Sequence, residues 1–244
     1  MTARSLHALL EGLIDYAGLF PPAGLSMQDA VRNYARYREG EYAWALGRFV
    51  VPADRVAEVP KEFPLSILGV DEVKASTEEE LVRFAPGAYV EITDLGLLDA
   101  IARHGLRAKI RTGGLVAEAF PATVKVAEFL RACQAKGVAF KATAGLHHPL
   151  RCVRPLTYEP SAPTGTMHGF LNVFLAAALL EFAEEVLAET DSSAFAFDDD
   201  GVSWRGHGVS TADLVIMRRT FATSFGSCSF EEPIADLRGL QVLD

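Results

Sequence analysis

Residues 106–145 decide the fold: LRAKIRTGG (106–114), then PATVKVAEFLRACQAKG (121–137), then VAFKATAG (138–145). The outer runs have strand length. The middle run carries apolar residues at helical spacing, with Pro121 near its first turn and Gly137 past its end. Strand, helix and strand in that order predict parallel strands joined by a helical crossover.

Towards the N-terminus the pattern continues. LGRFVVP (46–52), PLSILGV (64–70) and AYVEIT (88–93) read as further strands, and TEEELVRFA (77–85) and LLDAIARHG (97–105) as helices. Five units end near residue 143. Beyond them, residues 144–166 read as a long irregular loop and 167–189 as a strongly apolar, buried helix. AFAF (194–197) and VSW (202–204) read as a strand pair across Asp198-Asp199-Asp200-Gly201, and two helices near 210–222 and 233–240 close the chain. The first 40 residues read as helical. Leu6, Leu9, Leu10, Leu13 and Ile14 share one helical face, Ser26 is a good N-cap for the next helix, and DYAGLFPPAG (15–24) breaks the two apart. No repeat or linker divides the chain. The expected fold is one α/β domain over 1–244: a TIM-like (β/α) barrel, irregular or incomplete, with an N-terminal helical extension over 1–40 packed on it. An open flavodoxin-like sheet also uses five strands, but the polar strand faces need an enclosed interior.

Those polar faces carry the functional reading. Side chains alternate along a strand, so Lys109 and Arg111 share a face opposite Ile110, Lys141 and Thr143 share a face opposite Phe140 and Ala142, and Glu91 stands opposite Val90 and Ile92. The apolar faces should meet the crossover helices, which leaves the charges pointing into the barrel, near the strand ends where barrel active sites are built. Three cations against one carboxylate predict a surplus of positive charge, which an anionic ligand would balance. Gly113 and Gly114 follow directly and can offer backbone N–H groups. If the strands of Lys109 and Lys141 pair, mutual repulsion would lower one lysine's pKa and free an amine for Schiff-base or proton chemistry; alternatively both hold an anion. The alternative to any site is a structural ion-pair network.

The following loop adds His147 and His148, candidates for acid–base work or for capping carbonyls. His168 and Asn172, four residues apart on the apolar helix, form a polar pair that lines the site or is satisfied within the core. The N-terminus of that helix favours an anion. Three histidines together raise zinc as an alternative, without HxH or HExxH spacing to support it. The Asp198–Asp200 run reads as a hairpin turn. Cys228 is a nucleophile or, more simply, a buried thiol; Asp15, Tyr16 and Phe20 form a lid or, more simply, an inter-helix turn.

Composition sets the outer limits. Half the 244 residues are hydrophobic, enough for a large core, and the formal net charge of −9 disfavours nucleic acid as a partner. Cys133, Cys152 and Cys228 are widely spaced and form no CxxC pair, which fits a reducing, cytoplasmic setting. The apolar stretch from Phe170 to Leu180 is about half the roughly 20 residues a bilayer needs, so no membrane partner is expected. No motif calls for a cofactor.

IDYAGLFPPAGLSM, KIRTGG, FKATAGLHHPLR, MHGFLNVF and FGSCSFEEP together resemble a family of bacterial hypothetical proteins of unassigned function. The resemblance spans most of the chain and implies one domain but no reaction. Separately, KATAGL (141–146) is similar to the Lys-Thr-Thr-Pro-Gly-Leu stretch of quinolinate phosphoribosyltransferases, which have an incomplete barrel and anionic substrates; the proline is missing here, and no roles carry over.

The expectation is therefore a metal-free lyase, isomerase or transferase acting on a small anionic metabolite. Lys109 and Arg111 would hold the anion with Thr143, Gly113, Gly114 and Asn172, Lys141 would hold it or react, Glu91 would position or transfer a proton, and His147, His148 or His168 would be acid–base. The alternatives are a metal-dependent hydrolase built on the three histidines, and a non-catalytic metabolite-binding or scaffold protein.

Overall fold

A computed structural model describes residues 2–243. Eight parallel strands close into a barrel: β1 (Ile14–Tyr16), β2 (Leu46–Pro52), β3 (Leu65–Leu68), β4 (Glu72–Lys74), β5 (Tyr89–Glu91), β6 (Arg107–Arg111), β7 (Phe140–Thr143) and β8 (Ala222–Ser227). Each pairs with its neighbours in chain order, and β1 closes the ring against β8. The expected TIM-like barrel is present and complete. Among the described residues no helix is long and apolar enough to cross a membrane.

The five runs read as strands are β2, β3, β5, β6 and β7. The other three lie where the sequence reading placed something else. Residues 1–40 hold the expected helices, at Arg4–Leu10 and Met27–Arg38, but between them Ile14–Tyr16 is a barrel strand. Asp71 ends a three-residue turn after β3, and β4 follows at once, paired with β3 only through Leu68 and Glu72. Residues 222–227, read as the end of a helix and a loop, are β8. The stretch 144–166 holds most of an antiparallel hairpin, Cys152–Pro155 against Thr164–Met167. The expected pair at 195–204 gains a third strand, His207–Ser210, and its turn is closed by Asp198, whose carboxylate accepts from the N–H groups of Asp200 and Gly201.

The local physics is ordinary. Ser26 caps its helix by accepting from Asp29 N–H at 3.1 Å. The helix Thr123–Ala135 buries Val126, Ala127, Phe129, Leu130 and Cys133, a single helical stripe, and Gly137 at φ +63° leaves it in the left-handed conformation. The apolar core lies outside the barrel wall. Ile14, Phe49, Val51, Val90, Ala108, Phe140, Ala142 and Phe225 point outward beneath the helices, where Tyr16, Tyr34, Phe49 and Phe63 form one aromatic group and Phe140, Phe170, Phe174 and Phe225 another. That arrangement leaves the inward positions to polar residues.

Candidate functional site

Lys109 and Lys141 occupy directly paired positions on β6 and β7. Both reach the same carboxylate. Lys141 Nζ lies 2.5 Å from Glu72 Oε1 and 2.8 Å from Asp15 Oδ2, while Lys109 Nζ lies 3.2 Å from Glu72 Oε2 and 3.1 Å from Glu91 Oε2. The acids are themselves held. Ser66 donates to Glu72 at 2.6 Å, Ser224 donates to Asp15 at 2.7 Å, and Arg48 N–H donates to the other Asp15 oxygen at 2.7 Å. Asp15, Ser66, Glu72, Lys109, Lys141 and Ser224 are all buried, so a charged layer fills the barrel where branched apolar residues commonly sit.

The positive surplus expected from sequence is therefore corrected at this depth. Asp15 and Glu72, which the sequence reading did not place on strands, supply two carboxylates to the two buried ammonium groups. Burial alone would push the Lys141 ammonium down, but the charges of Asp15 and Glu72 outweigh it and hold its pKa above the usual lysine value. Repulsion between the lysines does not free an amine at Lys141. Burial would likewise raise the Glu72 carboxyl, but Lys141 and Lys109 outweigh it and bring the pKa down to about 2. Lys141 is 1% exposed and lies beneath the cavity described next rather than on its lining.

That cavity, about 750 Å³, opens above the charged layer at the C-terminal mouth of the barrel. Lys109, Glu72 and Glu91 form its floor on one side. Glu91 accepts ion pairs from Arg111 at 3.2 Å and Lys74 at 3.4 Å, both of which reach solvent, at 47% and 73% side-chain exposure. Burial would raise the Glu91 carboxyl, but Lys109 and Arg111 outweigh that and hold it below its usual range. Surplus positive charge survives here, at the rim.

Thr143, Ala144 and Gly145 continue the lining from the end of β7. Ala144 at φ +63° and Gly145 at φ +75° are consecutive left-handed residues, an uncommon conformation for alanine, and the turn is pinned by Thr112 Oγ1 donating to Ala144 O at 2.7 Å. Gly114 lines the cavity, whereas Gly113 packs against Phe120 and Gly145, with no room for a side chain.

His147 lines the cavity and its Nδ1 lies 2.9 Å from Glu232 Oε2, on the last helix, Glu231–Gly239. Burial would raise the Glu232 carboxyl, but the hydrogen bond from His147 together with the charges of His147 and His148 and a hydrogen bond from Tyr158 keeps it below its usual range. A proton on Nδ1 facing Glu232 leaves Nε2 as the basic nitrogen of the neutral ring, the orientation a general base needs. His148 turns away, with Nδ1 2.5 Å from Asp236 Oδ2.

Two sequence candidates fall outside the site. His168 is fully buried, with Nε2 2.7 Å from Pro121 O, and burial lowers its pKa; it is a core histidine. Asn172 is fully buried and saturated, accepting from Arg151 N–H and donating to the carbonyls of Val186 and Glu189. His168 and Asn172 do not share a helix, because the helix runs Phe170–Ala178 and His168 precedes it; nor does its N-terminus await an anion, since the N–H groups of Phe170 and Leu171 donate to His148 O and Pro149 O. The histidine cluster of a metal hydrolase does not form: His147, His148 and His168 turn to Glu232, Asp236 and Pro121, and the described residues contain no group of three metal-ligating side chains.

The sequence reading put Asp15 in a lid or turn rather than in the charged layer, and gave Glu72 and Glu232 no part in the site. The available signals were Asp15 between the apolar Ile14 and Tyr16, and the alternation Glu72-Val73-Lys74; each spans only three residues. DYAGLFPP is a strand end followed by a cavity wall, in which Ala17, Phe20, Pro21 and Pro22 line the opening and the Pro21–Pro22 bond is cis. Cys228 also lines it, as a buried thiol whose pKa burial raises. Compared with family models, with curated proteins and with solved structures, the chain matches none.

Proposed function

We propose that the chain is an enzyme of the lyase, isomerase or transferase type that moves a proton on an anionic metabolite bound at the barrel mouth. The observation that carries this reading is the meeting, in one cavity, of His147 oriented by Glu232 with Lys109 and Arg111. Arg111 and Lys109 receive the anion, with Lys74 adding charge at the rim. His147 Nε2 takes or returns the proton. Glu91, held below its usual pKa, keeps Lys109 and Arg111 in place rather than carrying a proton itself. Lys141 positions Glu72, and through it Lys109. We take the setting to be cytoplasmic and nucleic acid not to be a partner, on the net charge of −9 and three free cysteines.

The test is a thermal-shift screen of carboxylated and phosphorylated metabolites, followed by proton NMR of each hit in D₂O with catalytic protein. Exchange of a carbon-bound proton is expected, and His147→Gln should slow it on the order of 10²- to 10⁴-fold while the thermal shift persists. A bound anion that shows neither exchange nor turnover would overturn catalysis. It would favour the second reading, a metabolite-binding protein, which the complete pairing of the buried charges supports.

A further inference from the structure

The lining of the cavity is divided by strand. Going round the mouth, Lys74, Glu91, Lys109 and Arg111 come from the adjacent strands β4, β5 and β6. On the other side, Val50 comes from β2 and Phe20 and Pro22 from the loop after β1, while Leu156 and Met167 come from the hairpin between β7 and β8. Leu68, Val73, Phe84 and Leu115 add apolar lining within and beside the charged arc. Lysine, arginine and carboxylate groups are thus confined to one side of the lining, and apolar side chains predominate on the other.

Size and charge narrow the occupant further. A volume of about 750 Å³ falls in the upper part of the range that drug-sized ligands fill, about 300–1,000 Å³, and a three-carbon acid would leave most of it to water against an apolar wall. Within the network, the cations Lys74, Lys109, Arg111 and Lys141 face the carboxylates Asp15, Glu72 and Glu91, a surplus of a single positive charge. One charge matches a monoanion better than a phosphate dianion.

We infer that the ligand is an amphipathic monocarboxylate, its carboxylate on Lys109 and Arg111 and an alkyl or aryl body of medium size against the wall formed by Phe20, Pro22, Leu156 and Met167. This rests on the anion site proposed above and adds the nature of the rest of the molecule.

Titration calorimetry with straight-chain carboxylates from acetate to octanoate, the matching alcohols, and succinate tests it. Affinity should rise about fourfold for each methylene buried, at one site per chain. Arg111→Ala should weaken the acids and leave the alcohols unchanged. Phe20→Ser, at a half-buried loop position, should flatten the dependence on chain length while leaving the shortest acids unaffected; Met167→Ser is the second variant for the same wall. Acetate or succinate binding as tightly as octanoate, with Arg111 still required, would overturn the amphipathic ligand and leave the anion site standing. Alcohols binding as tightly as acids would overturn the anion site itself. Binding of several equivalents would show surface partitioning and sink the inference.

Discussion

Lys141 illustrates how one side chain can be indispensable without touching a ligand. Its ammonium compensates two buried carboxylates, so Lys141→Met leaves Asp15 without a cation and Glu72 with Lys109 alone. Breaking a buried pair from one side costs about 3–5 kcal/mol, and urea denaturation of the variant should show a loss of that size. A Schiff base on Lys141 is not expected: borohydride reduction in the presence of carbonyl compounds should leave the mass of its peptide unchanged. The same cluster sets a pH window. The Glu72 pKa falls on folding from 4.5 to about 2, so its stabilisation is complete above pH 4.5 and is lost as pH falls towards 2. That stabilisation is about 3 kcal/mol by linkage. The Lys141 pKa rises on folding, so its share is complete below its ordinary 10.5 and is lost in stronger alkali. Stability measured against pH should be flat between these limits as far as these two groups are concerned, with Glu72→Gln removing the share of the acid limb that Glu72 supplies. Lys109, Arg111, Lys141 and Glu91 were legible in the sequence because RAKIR, FKAT and YVEIT are long enough to show alternation. Asp15 and Glu72 were not, because two neighbours cannot establish a period, and with them went the charge balance.

At the scale of elements, the loops after β6 and β7 are built against each other. Gly113 and Gly145 are in backbone contact, and a Cβ on Gly145 would meet the Phe120 ring and Gly113 Cα within 3 Å, on top of the cost of φ +75° for any other residue. Gly145→Ala is expected to destabilise by about 2 kcal/mol or more. It should also displace Thr143 and Ala144, read as loss of any ligand-induced thermal shift. The elements that sequence reading missed share one property. Residues 222–227 follow a good helix with no turn residue between, and Gly226 and the serines of ATSFGS resemble a helix end. The hairpin at 152–167 is half exposed and rich in proline and threonine, so it carries neither period. Helices such as Thr123–Ala135 were legible because burial of one stripe needs a dozen residues to repeat.

For the molecule as a whole, the apolar core seals the outside of the barrel and Arg218 ties its N-terminal end. From the helix Thr211–Thr220 its guanidinium donates to Leu9 O and Glu11 O at the end of the first helix, and to Ala222 O and Thr223 O on β8. Burial lowers its pKa to about 10, still charged at neutral pH. Arg218→Met leaves four carbonyls without this donor. It should cost about 3 kcal/mol or more in chemical denaturation, and the N-terminal helix should lose hydrogen-exchange protection first. The barrel class was readable because strand–helix alternation is a property of the whole chain that survives the loss of three strands.

The three-residue turn between β3 and β4 carries a consequence for motion. The other wall joints of the cask are ladders of two to four rungs; this one has a single rung, Leu68 to Glu72. What keeps the staves together there is Glu72 itself, gripped by Ser66 on one stave and by both lysines across the hollow. A visitor that draws Lys109 upward loosens that grip, so arrival of cargo at the mouth should be felt as faster amide exchange along this seam.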